Sequence, residues 1–164
     1  MGKRRAAREQ ERAREFEYFV AGAAGRLLHT AQLLTSEPPD AAPAAERLLT
    51  AALARTYARW DRLHGEDPYE AARQELVSRF ARLAWRYRRA GGGLLGRLTP
   101  QERLVLVLRL HEGVAEEQTA AALGLAAERV HGILSGALSA ALTRPAGRKD
   151  PARAHGTRAE GAAT

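Results

Sequence analysis

The sequence predicts an all-α protein of two small helical modules, the second a helix-turn-helix without a wing. Three observations carry this. Alanine, leucine, arginine and glutamate dominate, while aromatic residues make up 5% of the chain, a composition that favours helix over strand. Apolar residues recur three and four apart through most of its length. The stretch 116–138, EEQTAAALGLAAERVHGILSGAL, reads as two short helices joined by a tight turn.

In order, residues 3–14, KRRAAREQERAR, alternate charge signs with no apolar face to anchor them, so fraying is expected. From Glu15, the residues Phe16, Phe19, Val20, Ala23, Leu27, Ala31 and Leu34 define one amphipathic helix. Pro38 and Pro39 forbid its continuation, leaving a loop over 35–43. A second helix is expected from about Ala44 to Leu63, with Leu48, Leu49, Leu53, Tyr57 and Trp60 on its core face and Trp60 as a packing anchor. Asp67 before Pro68 suits an N-cap followed by proline at the first helical position. The third helix is expected to run from about Pro68 to Arg89.

The end of that third helix is the best nucleic-acid face in the sequence. SRFARLAWRYRR carries Arg79, Arg82, Arg86, Arg88 and Arg89 with no acid, and Phe80, Trp85 and Tyr87 lie among them. Guanidinium groups suit phosphates and exposed aromatics can stack on unpaired bases. A solvated helix end, its arginines set against the C-terminal dipole, is the competing reading. Phe80 and Leu83 are expected to face the core under either.

AGGGLLG, residues 90–96, is the clearest break and reads as a flexible joint. No strand precedes it and no GKS or GKT follows, so it is not a phosphate loop. Beyond it, Thr99, Pro100 and Glu102 form a capping box with proline at the first helical position. Leu104, Val105, Val107, Leu108 and Leu110 are expected to be buried against the helix-turn-helix. There, Ala120, Ala121 and Leu123 offer a small apolar face, Gly124 ends the helix with positive φ, and Leu125 plugs the angle. The following helix, Ala127 to about Leu142, places Val130, Ile133, Leu134, Ala137 and Leu138 on one face. Such a second helix normally enters the DNA major groove. An αα-hairpin without nucleic acid is the alternative.

Charge and chemistry bound the rest. The net charge is +7, but residues 1–14 hold six Lys/Arg against two Glu and residues 143–164 hold five Lys/Arg against two acids, so the middle is neutral. There is no cysteine, which excludes disulfides and thiolate metal sites. The five histidines, at 29, 64, 111, 131 and 155, form no ligand spacing. No catalytic residue, metal or cofactor is expected, and the chain is not read as an enzyme. No apolar run approaches membrane-spanning length and no signal peptide is evident, so a cytoplasmic protein with no membrane partner is expected.

LTPQERLVLVLRLHEGVAEEQTAAALGL resembles the promoter-reading C-terminal domain of extracytoplasmic-function-type sigma factors. LLHTAQLLTSEPPDA, LLTAALARTYARWDRL and DPYEAARQELVSRF look like the N-terminal sigma region, in the actinobacterial SigE-like subgroup. The resemblance covers about residues 15–142. It implies a protein that binds RNA polymerase core and promoter DNA, with an anti-sigma protein as a further candidate partner. Charge and glycine content set a basic flexible arm over 1–14, a Gly-rich linker over 90–98 and a disordered basic tail over 143–164, and the resemblance implies a core-binding and promoter-melting domain over 15–89 and a helix-turn-helix domain over 99–142. Carried onto this sequence, Ser78–Arg89 would meet melting DNA. Arg129, His131 and Ser135 would face the groove from the recognition helix, and Glu46, Arg47, Thr50 and Arg55 would face polymerase.

The departures from the family pattern are specific. Ala126 stands where a serine cap is usual, a loss of about 1 kcal/mol. Residues 101–142 hold three Arg and five Glu, a net of −2, which weakens attraction to phosphates. Arg47, Thr50 and Ala51 stand where the family favours acid, amide and acid. The joint 90–98 reaches about 30 Å extended, less than a duplex turn. These departures raise a second reading: a repurposed sigma scaffold, acting as a protein–protein module or decoy.

Overall fold

The computed structural model describes residues 2–63, 65–88 and 93–143. Among them there are six α-helices and no strand. The basic tail from 144, His64, Arg89 and residues 90–92 of the joint lie outside the described residues.

Helix α1 spans Gly2–Thr35. The fraying expected of residues 3–14 is not what forms: the helix is continuous from Gly2. Its first turns are built from strong helix formers with an i,i+4 pair, Arg5–Glu9 at 3.3 Å. Arg12 then fixes them to the rest of the fold. Its guanidinium lies over the Tyr57 ring at 4.4 Å, pairs with Asp61 at 3.3 Å and donates to the Tyr57 carbonyl. Further along, Ala23, Leu27, Thr30, Ala31 and Leu34 are buried at helical spacing.

Ser36 turns the chain with φ 57°. Glu37 then does a job its position in the sequence conceals. Its carboxylate accepts from the backbone N–H groups of Ala44 and Ala45 at 3.1 and 2.7 Å, and from the Thr35 hydroxyl at 3.1 Å. Helix α2, Pro43–Ala58, has Ala42 at its N-cap with no side-chain acceptor, so Glu37 satisfies the free donors and the dipole from outside. This helix ends at Ala58, not Leu63, and a 3₁₀ turn follows over Trp60–Arg62. Leu48 and Leu49 are buried as expected, while Leu53, Tyr57 and Trp60 are half-buried. Trp60 still anchors packing: it meets the Phe16 and Phe19 rings at 5.0 and 5.3 Å, and its indole N–H reaches Glu15 at 3.4 Å.

Helix α3 spans Pro68–Arg82. Asp67 caps it, accepting from the Tyr69 N–H at 2.9 Å. The α-helix stops seven residues short of Arg89. At Leu83 the backbone N–H turns toward both the Arg79 and Phe80 carbonyls, and a 3₁₀ turn runs over Ala84–Tyr87. Phe80 is buried and stacks on Tyr87 at 5.0 Å; Leu83 is only half-buried.

Helix α4, Pro100–Leu106, opens with the full capping box: Glu102 N–H to Thr99 Oγ1 at 3.2 Å and Thr99 N–H to Glu102 Oε2 at 2.8 Å. It widens into a π-helical turn over Val107–His111. α4 does not simply pack on the helix-turn-helix. Leu104, Val107 and Leu108 join the core formed by Leu34, Leu48, Leu76 and Phe80, so they face the first module. Val105 faces Ala120 and Val130, and Leu106 faces Leu98 and Ala137. Leu110, expected to be buried, is 59% exposed. Leu110 lies inside the π turn, which the Glu112 N–H marks by bonding to the Val107 carbonyl at 2.9 Å, so it does not keep the regular α-helical spacing from Val107.

Helices α5, Glu116–Leu123, and α6, Ala127–Thr143, form the helix-turn-helix. Gly124 sits between them at φ 64°, ψ 35°, and the Leu125 N–H reaches back to the Ala120 carbonyl at 2.9 Å. Ala120, Val130 and Ala137 are buried, with Leu123, Leu125, Ile133 and Leu134 half-buried around them. Ala121 and Leu138, both expected on the packed face, are exposed. They fall one position beyond Ala120 and Ala137, which take the contact, and so are rotated toward solvent.

Candidate nucleic-acid interface

At the end of α3 the inward positions are Ala72, Leu76, Val77 and Phe80, which leaves the arginines on the outside. Arg79, Arg82, Arg86 and Arg88 are all exposed, and none is ion-paired among the described residues. Trp85 is 62% exposed, with the Arg86 guanidinium 5.0 Å from its ring centre. An indole face beside unpaired guanidinium groups can stack a base while its phosphates are neutralised. Of the three aromatics in this stretch only Trp85 is placed for that. Phe80 is buried and Tyr87 is stacked against it. Arg89 lies outside the described residues.

On α6, Arg129, His131 and Ser135 are exposed, on the side away from Val130 and Ala137. His131 has a neighbour the sequence did not suggest: its Nδ1 lies 3.5 Å from Glu116 Oε2 on α5. A carboxylate therefore stands next to one of the groove-facing candidates.

On α2, Glu46, Arg47 and Thr50 are exposed, and the Thr50 hydroxyl donates to the Glu46 carbonyl at 2.8 Å. Arg55 is exposed too, but at about 100° per residue it lies half a turn round from Glu46. It lines a groove between α2 and α3 together with Arg79 and Arg82. The four α2 residues thus spread over about half of the helix, with Arg55 about 80° from Arg47.

Two charged side chains that sequence reading left without a structural role join the N-terminal helices to α4. Arg103 is 0% exposed, and its guanidinium donates to the Leu34 carbonyl at 2.8 Å and to the Tyr87 carbonyl. It stitches the ends of α1 and of the α3 segment onto α4. Burial pushes its pKa below the ordinary arginine value. Glu112, whose side chain is fully buried, accepts from the Thr30 hydroxyl, from the Tyr69 phenol at 3.0 Å and from Arg26 at 3.1 Å, with Arg73 at 3.7 Å. Burial, then the bond to Glu112 and that group's negative charge, push the Tyr69 pKa from 10.0 to about 12. The signal for Arg103 was present, as the arginine of LTPQER. For Glu112 only the π turn puts the carboxylate beneath α1, and nothing local announces that turn.

A helix-turn-helix in an all-α fold is the arrangement of a DNA-binding transcription protein. Residues 94–140 match the sigma-70 region 4 family. The chain is 31% identical to the RNA polymerase sigma-E factor of Streptomyces coelicolor over 150 aligned residues, covering 76% of this chain and 82% of that protein. The RNA polymerase sigma-E factors of Streptomyces avermitilis and Streptomyces antibioticus are similar at 31% and 32% identity, with 76% of this chain covered and 82% and 81% of theirs. No solved structure gives a significant match. The chain belongs to the sigma-E-type family of RNA polymerase sigma factors, non-enzymatic proteins that direct transcription initiation. Among the described residues no helix is long and apolar enough to cross a membrane.

Proposed function

We propose that this sigma factor works through three separate faces, in two units that meet at 90–98. The end of α3, through Arg79, Arg82, Trp85, Arg86, Arg88 and Arg89, takes the melting promoter strand. The outward side of α6, through Arg129, His131 and Ser135, takes the upstream element. The face of α2 bearing Glu46, Arg47 and Thr50 docks on polymerase core. The observation that carries this reading is Trp85, held open to solvent among four exposed arginines that are not ion-paired among the described residues. An anti-sigma protein remains a candidate partner by family membership alone.

The test is transcription from a defined promoter by polymerase core plus the purified chain, with the variant Arg86→Ala/Arg88→Ala/Arg89→Ala alongside. The native chain is expected to direct specific initiation. The variant is expected to lose open-complex formation while still co-eluting with core. Unchanged open complexes in the variant would remove the α3 end from the DNA path.

One observation favours a narrower second reading, in which the chain modulates initiation with weak DNA binding of its own. The helix-turn-helix unit has a net charge of −2 over 101–142, and Glu116 stands beside His131. That reading predicts co-elution with core but no promoter-specific transcript.

A further inference from the structure

His131 and Glu116 meet across the turn of the helix-turn-helix. His131 lies on the exposed side of α6, and Glu116 is the first residue of α5. The imidazole Nδ1 stands 3.5 Å from Glu116 Oε2. That is an ion-pair distance, a few tenths of an ångström beyond a hydrogen bond, and a small turn of an exposed ring closes it. The His131 side chain is 69% exposed and that of Glu116 26%, so the ring is the outer group of the pair and the carboxylate the inner one.

A neutral imidazole carries one N–H, and the partner of one nitrogen decides what the other can do. An ionised carboxylate can only accept, so beside Nδ1 it draws the proton there. Nε2, on the far side of the ring, is left as a bare acceptor. In the major groove an acceptor matches the amino groups of adenine and cytosine and meets no partner on the keto oxygens of guanine and thymine. Without the carboxylate the ring is free to present Nε2–H, which reads the opposite set.

We propose that Glu116 is a positioning residue for base selection: it fixes the His131 tautomer, so that Nε2 accepts from an adenine or cytosine amino group in the upstream element. The proposal rests on the reading of the outward side of α6 as a groove-facing surface. Glu116 itself touches no base.

Two measurements on the full chain test it. The first needs no DNA: the imidazole nitrogen resonances of His131 in isotope-labelled protein at about pH 8, where an ordinary imidazole is neutral. The native chain is expected to show a protonated Nδ1 and a bare Nε2. Glu116→Ala is expected to move toward Nε2–H, and Glu116→Gln, whose amide oxygen still accepts, to hold the native form. The second is selection from a pool of duplexes randomised in the upstream region, by the chain assembled with polymerase core. His131→Ala is expected to lose a preference for adenine or cytosine at one position, on the order of fivefold, the worth of one neutral hydrogen bond. Glu116→Ala is expected to lose it at that same position and no other, and Glu116→Gln to keep it. A native ring protonated at Nε2 would overturn the proposal and leave the groove-facing reading of α6 intact. A uniform change of affinity in Glu116→Ala with the preference kept, or a loss in Glu116→Gln equal to that in Glu116→Ala, would make Glu116 a bystander charge and overturn it too. A native Nδ1–H ring in a chain that selects no upstream sequence would overturn the reading of α6, and the proposal with it.

Discussion

Arg103 shows how much one side chain can carry when it is buried. Its guanidinium satisfies carbonyls at the ends of two different segments, Leu34 and Tyr87, and lies 6.0 Å from the Phe80 ring. Arg103→Ala would leave both carbonyls without that donor and open a cavity under Phe80. The expected cost is about 3 kcal/mol, read as a lower urea midpoint at unchanged slope. Arg103→Lys is expected to recover only part of it, because an ammonium has no planar fork to span the two acceptors. Tyr69 makes a prediction of the opposite kind, visible only with pH. Its folded pKa lies near 12 against an ordinary 10.0. Below pH 10 the phenol is protonated in both states and its contribution is whole. Between 10 and 12 the unfolded chain loses the proton while the folded one keeps it, so stability falls as pH rises. Tyr69→Phe is expected to flatten that decline, measured as the urea midpoint at several alkaline pH values.

At the scale of elements, local signals were legible where the chemistry is local. Asp67 and Thr99 cap the helices they precede, and Gly124 takes the left-handed conformation that its place between α5 and α6 requires. Helix ends governed by distant groups were not legible. Glu37 caps α2 from across a loop, Arg12 holds down the first turns of α1, and the π turn redirects Leu110 outward. Each depends on a partner far along the chain, or on a change of helical phase that no residue type declares. The same division applies to the site: Trp85 and its arginines could be read from composition, whereas the grouping of Arg55 with them needed the packing of α2 on α3. The turn supports two stability predictions of opposite sign. Gly124→Ala meets no heavy atom within 4 Å of the added carbon, so its cost is the left-handed backbone alone, about 1 kcal/mol. Ala126→Ser supplies the missing cap of α6, where the Arg129 and Val130 N–H groups already reach the Ala126 carbonyl. It is expected to gain about 1 kcal/mol, or roughly 2–4 °C in melting temperature for a chain of this size.

At the scale of the molecule, the two modules expected from the sequence share one apolar core and one ionic cluster. Leu104, Val107 and Leu108 complete the core of α1–α3, and Glu112 draws on Thr30 and Arg26 from α1 and on Tyr69 and Arg73 from α3. A carboxylate with its side chain fully buried is stable there only because these donors converge on it. The cluster therefore ties the helix-turn-helix unit to the N-terminal helices. Glu112→Ala leaves the Tyr69 phenol without its acceptor and removes the carboxylate that Arg26 and Arg73 share, while Arg73 keeps Glu70 at 3.2 Å and the Thr30 hydroxyl keeps the Arg26 carbonyl at 3.1 Å, and the expected loss is about 1–3 kcal/mol. Glu112→Gln retains an acceptor for Tyr69 and Thr30 but no charge for Arg26 and Arg73, so it should fall between. The consequence to measure is where the loss is felt. If α4 couples the halves, amide exchange in Glu112→Ala must quicken in α1 and α3 and in α5 and α6 together. Faster exchange confined to α5 and α6 would mean that the N-terminal helices stand alone, with the helix-turn-helix merely leaning on them. Since the exposed arginines at the α3 end and the exposed side of α6 sit on opposite sides of this coupling, its strength determines whether they can move apart while the fold stays intact.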